Sequence, residues 1–301
     1  MKVIKEKHFG IARKIVSNMT SESWETIPHA VITYETEIDK FLAVLKEMNK
    51  DIEKEDKITV NTAMLRIIVE AIKACPVINS HLEFNRRLVR GNLKTMENID
   101  VSMPVMLKNG EMMTLNIHGL ENKTITGIRD AVKDSLRRAN NSDMNEVMYE
   151  VSLDNTLQGL KKGKILQAIN RLIGSKTGKH KVKTLSGKAK KEYYAIPETE
   201  RLTKHDIEQG TITISNLGSI YREWDGKCAM LEIIPPQITA IAIGAGKKEP
   251  VVKQDGTIGV ATKLALTIAF DHRALDLGDV VPFMRKLDEI FANPEILKDW
   301  M

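Results

Sequence analysis

An α/β fold is the expectation for this chain of 301 residues. Three stretches point to it. Lys263 to Gly278 reads KLALTIAFDHRALDLG, in which Leu264 to Phe270 is a strand-forming apolar run broken only by Thr267. Such a run predicts a strand buried on both faces. Ala30 to Thr36 predicts a second strand, followed at once by a helix from Ile38 to Met48. Ile58 to Ala74, ITVNTAMLRIIVEAIKA, repeats apolar residues at helical spacing.

Composition narrows the class. At 42% hydrophobic and 28% charged residues the chain has the make-up of a globular protein, with ample length for a core. No run of eighteen apolar residues occurs, so no membrane span is expected. The N-terminal MKVIKEKHFGIARKIV has no signal-peptide core. Cys75 and Cys228 have neither metal-ligand spacing nor a disulfide framework, and a cytoplasmic location follows as the simplest expectation. The net charge of +5 is uneven. Residues 161–191 hold eleven Lys and Arg and no Asp or Glu, which leaves the rest of the chain at −6.

The elements follow in order. Ile11, Ile15 and Met19 line one face of a helix that ends near Trp24, before Pro28. His29 reads as a half-buried structural histidine at a strand end. Asp39 suits the N-terminal dipole of the next helix. Thr59 or Asn61 can cap the helix that Pro76 ends. Val101 to Val105 and Met112 to Ile117 are short strands joined by an Asn109-Gly110 turn. Thr124 caps a helix to Ala139, with Ile125, Ile128, Val132 and Leu136 on its apolar side. After a long interruption, Thr211 to Ile220 reads as a strand and turn. Asp255-Gly256 predicts a hairpin into the Leu264 strand, and a last helix runs from Gly278 to Phe291, ended by Pro294.

The chemistry gathers where the apolar run stops. Asp271, His272, Arg273 and Asp276 arrive within six residues. A rigid strand that delivers a histidine at its end fixes the imidazole well enough for general-base work near neutral pH. A hydrogen-bonded structural histidine is the plainer reading of the same spacing.

DHRALD after that strand resembles the DHRxxD motif of dihydrolipoyl acyltransferases, the core subunits of 2-oxo-acid dehydrogenase complexes. Chloramphenicol acetyltransferases share that fold and a related HxxxD motif. TITISNLG resembles the family's TFTISNLG, and IIPPQITAIAIGAGKKEPVV its NPPQxxILAIGxxxxxPVV. An IPH strand after a helix bearing an arginine, and the P-x-x-N of Pro76 and Asn79 before a strand pair, complete the order. The resemblance begins near Phe9 and covers the chain outside one insert. It implies a chloramphenicol acetyltransferase-like mixed sheet with packed helices. It implies a homotrimer, with a larger assembly left open, whose active sites lie between neighbouring subunits. Coenzyme A or acyl-CoA is the implied substrate, with no metal and no lipoyl group bound on this chain. Residues 1–301 then form a single catalytic domain without lipoyl or subunit-binding domains.

The resemblance also assigns roles. His272 is the base and Ser215 the donor facing the oxyanion; such a donor is worth about 2.7–4 kcal/mol. Asp276 forms an ion pair with an arginine of the first helix, for which Arg13 is the match; pairing of Asp276 with the imidazole is the other reading. Lys247 and Lys248 could meet the CoA phosphates. Where the family reads DHRxxDG, Leu277 follows Asp276 here, which puts the loop conformation in question. Two other functions stay open: a non-catalytic scaffold, or an acyltransferase for a small hydroxyl or amine acceptor.

The insert, about 141–203, is the main departure. Its first part, MNEVMYEVSLDNTLQGLKKGKILQAINRLIG, has helical spacing; its second, SKTGKHKVKTLSGKAKKEYY, is basic and turn-rich. Three readings compete: a solvated, partly mobile excursion, a docking surface at 161–191 for an anionic partner, and nucleic-acid binding. No nucleic-acid-binding motif supports the last, so no nucleic acid is expected.

Overall fold

A computed structural model of the chain describes residues 2–107, 110, 112–161, 163, 165–219, 223, 225–253 and 255–301. In chain order it holds α1 (Ile11–Thr26), β1 (His29–Glu37), α2 (Asp39–Met48), α3 (Val60–Ala74), β2 (Ser80–Asn85), β3 (Arg90–Thr95), β4 (Val101–Met106) and β5 (Met112–Ile117). There follow α4 (Ile125–Asn140), α5 (Met144–Lys161), α6 (Ile165–Lys176), α7 (Gly187–Ala195), β6 (Ile212–Asn216), β7 (Thr239–Ile243), β8 (Lys247–Val252), β9 (Ile258–Asp271) and α8 (Leu277–Ala292). The chain divides into two compact units, 1–22 with 135–208 and 23–134 with 209–301.

The larger unit is built on a mixed sheet in the order β1-β9-β7-β6-β4-β5, with β8 also paired to β9. β7, β6 and β4 run parallel; β9 is antiparallel to β1, β7 and β8. The α/β class and mixed sheet are as the sequence implies. β9 is longer than the apolar run alone predicts, 14 residues, because its less buried first half pairs with β8. From Leu264 to Asp271 every residue is buried, as expected of a strand covered on both faces. The Asp255-Gly256 hairpin is present: Asp255 Oδ1 accepts from Thr257 N–H at 3.0 Å, and Gly256 takes φ +80°. Of the turn expected at Asn109-Gly110, Asn109 lies outside the described residues, as does Ile220 at the end of the Thr211 strand.

Capping sets the helix starts. Thr59 Oγ1 accepts the Thr62 N–H at 3.1 Å, so Thr59, not Asn61, caps α3. α3 is buried nearly all round and packs against α8, whose Val280, Phe283, Leu287 and Ile290 form the inward face. Asp39 does more than meet a helix dipole. Its carboxylate accepts both the N–H and the hydroxyl of Thr262, each at 2.8 Å, and those bonds hold its pKa below the usual range. The contact ties α2 to β9. β2 and β3 form a separate hairpin, closed at its base by Asn79, whose side chain donates to the Met96 and Asn98 carbonyls.

In the smaller unit, α5 and α6 confirm the helical spacing of the insert's first part. The second part differs from the turn-rich expectation, because α7 forms over its last residues. Lys190 reaches the buried Glu146 carboxylate at 2.8 Å, and Arg201 stacks over Tyr193 and Tyr194 at 5.3 and 5.1 Å. Tertiary contacts of this kind stabilise a helix that local propensity leaves undecided.

Candidate active site

Two main-chain bonds hold the end of β9: Asp271 N–H donates to the Ile238 carbonyl at 2.8 Å and His272 N–H to the Pro28 carbonyl at 3.0 Å. The turn that follows is clamped by its own side chains. The buried Asp271 carboxylate takes the Arg273 backbone N–H at 2.9 Å and the guanidinium through Nε at 3.0 Å and Nη2 at 2.6 Å. The Arg273 guanidinium in turn lies over the Phe84 ring of β2, 5.5 Å from its centre. Sequence reasoning placed Asp271 and Arg273 at the site but missed this clamp. Its signal was the Asp-x-Arg spacing, which lets an aspartate close an Asx turn on the residue two positions on.

The clamp presents His272. Its Nδ1 lies 3.1 Å from the Leu275 carbonyl and 3.3 Å from Asp276 Oδ1. Both neighbours are acceptors, so the neutral ring carries its proton on Nδ1. Nε2 then keeps its lone pair, the arrangement a general base requires. The imidazole is 56% exposed in the single chain, and Asp276 82%. Asp276 also stands at the N-cap of α8, in a capping box with Asp279, whose carboxylate accepts the Asp276 N–H at 2.8 Å. Leu277 is therefore the first residue of a helix. Among the described residues the one non-glycine with positive φ is Val89, so Leu277 strains nothing where the family has glycine.

His29 is held structurally. Its Nε2 accepts the Ile233 N–H at 3.1 Å, and Trp24 stacks beside it at 5.5 Å. Trp24, Pro28, Phe84, Val89 and Arg273 line a recess next to the His272 backbone.

Ser215 lies elsewhere in the same sheet. It is buried on β6, paired to Ala242 of β7, which pairs to Thr267 of β9. Ser215 is thus two strands from β9 and level with a residue five short of His272, a separation of roughly 20 Å between Cα positions. The chain does not bring its own His272 and Ser215 together. The entry to β6 is tightly set: Gly210 N–H donates to Ser102 Oγ at 2.8 Å, and Gln237 bonds both the Gly210 carbonyl and Thr213 Oγ1. A Cβ on Gly210 would stand 2.3 Å from the Asp100 carbonyl oxygen, so glycine is required there.

The remaining predicted residues are dispersed. Arg13 is exposed on α1, in the smaller unit. Lys247 and Lys248 open β8, and Lys247 Nζ lies 3.2 Å from Asp225 Oδ2. Among the described residues no cluster of His, Cys, Asp or Glu is arranged to hold a metal, and no helix is long and apolar enough to cross a membrane.

Comparison with known proteins bears on this geometry. The family described as 2-oxoacid dehydrogenases acyltransferase (catalytic domain) matches residues 2–150 and 179–298, leaving 151–178 unmatched. The acetyltransferase component of the pyruvate dehydrogenase complex of Rickettsia prowazekii is 26% identical over 287 residues, 95% of this chain and 53% of the relative. The chain thus spans about half the length of the curated relatives it matches. A probable dihydrolipoamide acetyltransferase from Listeria monocytogenes shares the fold at a TM-score of 0.63 and 19% identity, over 96% of this chain and 94% of that one. The Azotobacter vinelandii dihydrolipoamide acetyltransferase does so at 0.66 and 15%, over 98% and 94%. With the family matched along most of its length, the chain belongs to the 2-oxoacid dehydrogenase acyltransferase catalytic-domain family.

Proposed function

We propose that the chain is a CoA-dependent acyltransferase that moves an acyl group between CoA and a dihydrolipoyl-type thiol. The observation that carries this reading is the placement of His272, whose Nδ1 faces two acceptors and whose Nε2 is thereby left to take a proton. The acceptor thiol gives its proton to Nε2 and attacks the thioester carbonyl. The tetrahedral oxyanion is met by the Ser215 hydroxyl. The intermediate then expels CoA thiolate, which takes the proton back from the imidazolium. Asp276 stabilises that imidazolium, and Arg13 is proposed as the cation that pairs with Asp276 in the assembled enzyme. Lys247 and Lys248 are proposed contacts for the CoA phosphates, Lys247 exchanging Asp225 for a phosphate. The catalytic mechanism of the Azotobacter enzyme was studied at one serine, one histidine and an asparagine four positions beyond that histidine, the interval between His272 and Asp276.

The separation of Ser215 from His272 within one chain supports a site shared between neighbouring copies, and the homotrimer that the family resemblance implies, with a larger assembly left open, is the oligomer proposed. The proposed domain is the whole of 1–301, interrupted by the insert at 141–203. Cys75 and Cys228 carry free thiols, which suits the proposed reducing cytoplasm.

The test is CoA release from acetyl-CoA with dihydrolipoamide as acceptor. His272→Ala is expected to lower turnover by about 10²–10⁴-fold. Unfolding and reassembling His272→Ala with Ser215→Ala should then restore activity at about a quarter of the sites, those pairing an intact histidine with an intact serine from different chains. Full activity in His272→Ala, in folded protein, would sink the catalytic reading. No recovery on mixing would place both residues of a site in one chain.

A further inference from the structure

The part of the chain that the family leaves unmatched, 151–178, contains a helix turned inside out. In α6, Ile165, Leu166, Ile169, Leu172 and Ile173 are all exposed, Leu166 by 79%. Their spacing places them on one arc of about 120°. The opposite side of the same helix is the covered one, and it carries the small Ala168 and the partly buried Arg171 and Ser175. An amphipathic helix serving only its own core would be oriented the other way. α5, which packs on α6, continues the pattern, with Leu153, Leu157 and Leu160 exposed at i, i+4 and i+7. These residues form an apolar surface without cover in their unit.

Charge identifies what covers it. Residues 161–191 carry eleven Lys and Arg and no acid. Lys161 precedes the apolar arc, Lys176 closes α6, and Lys179, Lys181 and Lys183 follow, all exposed. A second copy of the same surface would bring cation against cation. A flat anionic surface meets both demands: it accepts the leucine and isoleucine side chains at its apolar boundary, while the lysine stems lie along it with their ammonium groups at the headgroups. We propose that α6, with the exposed stripe of α5 and the lysines that follow, is a peripheral docking surface for an anionic lipid bilayer, lying on the membrane without crossing it.

The experiment is vesicle sedimentation with the full chain. Vesicles with about a third phosphatidylserine should bind it, and pure phosphatidylcholine vesicles should not; binding should fall as salt screens the surface. Leu166→Glu with Ile169→Glu, both outward-facing, should weaken binding about tenfold or more while CoA release stays unchanged. A lysine-only variant, Lys179→Gln with Lys181→Gln and Lys183→Gln, should weaken binding with the apolar arc intact. The proposal is overturned by equal binding to both vesicle types, by no binding to either, or by Leu166→Glu with Ile169→Glu leaving binding intact. It is overturned equally if that double variant lowers the oligomeric state, which would show that a second copy covers α6. Activity in these variants is read separately, so loss of membrane binding and failure of the acyltransferase reading remain distinguishable.

Discussion

The second half of β9 and the length of α6 use the same side chains to opposite ends. Leu264, Leu266, Ile268 and Ala269 are all at most 2% exposed, whereas Ile165, Leu166 and Ile173 stand 57, 79 and 54% exposed. The contrast extends to their units. The sheet unit is held by apolar burial on both sides of β9 and around α3. Among the described residues, the buried apolar side chains of the helical unit are Ile11, Ala139, Val147, Ala168, Tyr193 and Leu202. What pins that unit is polar. Glu146, buried, takes Lys190 at 2.8 Å and the Leu185 N–H at 2.9 Å, and Asp206 takes Arg138 at 2.7 Å. Apolar burial needs only contact, and tolerates pH and salt. A buried carboxylate held by a cation needs both charges, so the two units should fail under different conditions.

The largest effect should come from the sheet. Ile268→Ala is expected to cost about 4 kcal/mol through lost contacts and a cavity. Leu166→Ala on α6 should change stability by less than about 0.5 kcal/mol. Urea unfolding of both variants measures the difference, and equal costs would erase the contrast. Arg273→Ala should come next, at about 3 kcal/mol, because it leaves the buried Asp271 carboxylate without its cation. The loop carrying His272 loosens with it, so CoA release should fall as well; Arg273→Lys should recover only part of either, lacking the fork.

In the helical unit, Glu146→Gln should cost about 2 kcal/mol by removing charge-assisted hydrogen bonds. Burial raises the pKa of Glu146, but the Lys190 ammonium and the Leu185 N–H outweigh it, and the net shift is downward from 4.5. Asp206 is likewise shifted down from 3.8, with burial opposed by Arg138 and Thr203. A depressed carboxylate stabilises above its unfolded pKa and loses that contribution as pH falls through the folded value. Acid below about pH 4 should therefore release the helical unit first. Proteolysis of acid-treated protein should cut within 144–195 while the sheet unit resists, and simultaneous loss of both would contradict the division. The smallest effect is Thr59→Ala, about 1 kcal/mol for the lost cap of α3, read as a lowered urea midpoint at unchanged slope.

Legibility followed the range of the interaction. Apolar runs, caps and turn pairs are local signals, and they placed β9, α3 and the Asp255-Gly256 hairpin. Asp39 reads locally as a helix-start charge, since nothing nearby announces a bond to Thr262, 223 positions away. The segment of α7 reads as turn-rich because its stabilising partner, Glu146, lies more than forty residues earlier. Asp276 shows both kinds of signal at once: its place at a helix start is readable from Asp279, but its approach to the imidazole depends on the turn that the Asp271–Arg273 clamp closes.

By itself the sequence determined the α/β class, the buried strand that delivers His272, and the TISNLG and DHRALD motifs that carry the family, because periodicity and motif spacing are properties of neighbours along the chain. Tertiary structure decided the rest. Only strand register puts Ser215 level with Thr267 and so away from its own histidine. Only the packing of the turn sets Nδ1 beside the Leu275 carbonyl and the Asp276 carboxylate and leaves Nε2 clear of both. Only the orientation of α6 reveals that an apolar face, of a kind found in any core helix, points outward among lysines. Each of these is a choice among placements that the same local pattern permits, made by contacts between residues far apart in sequence.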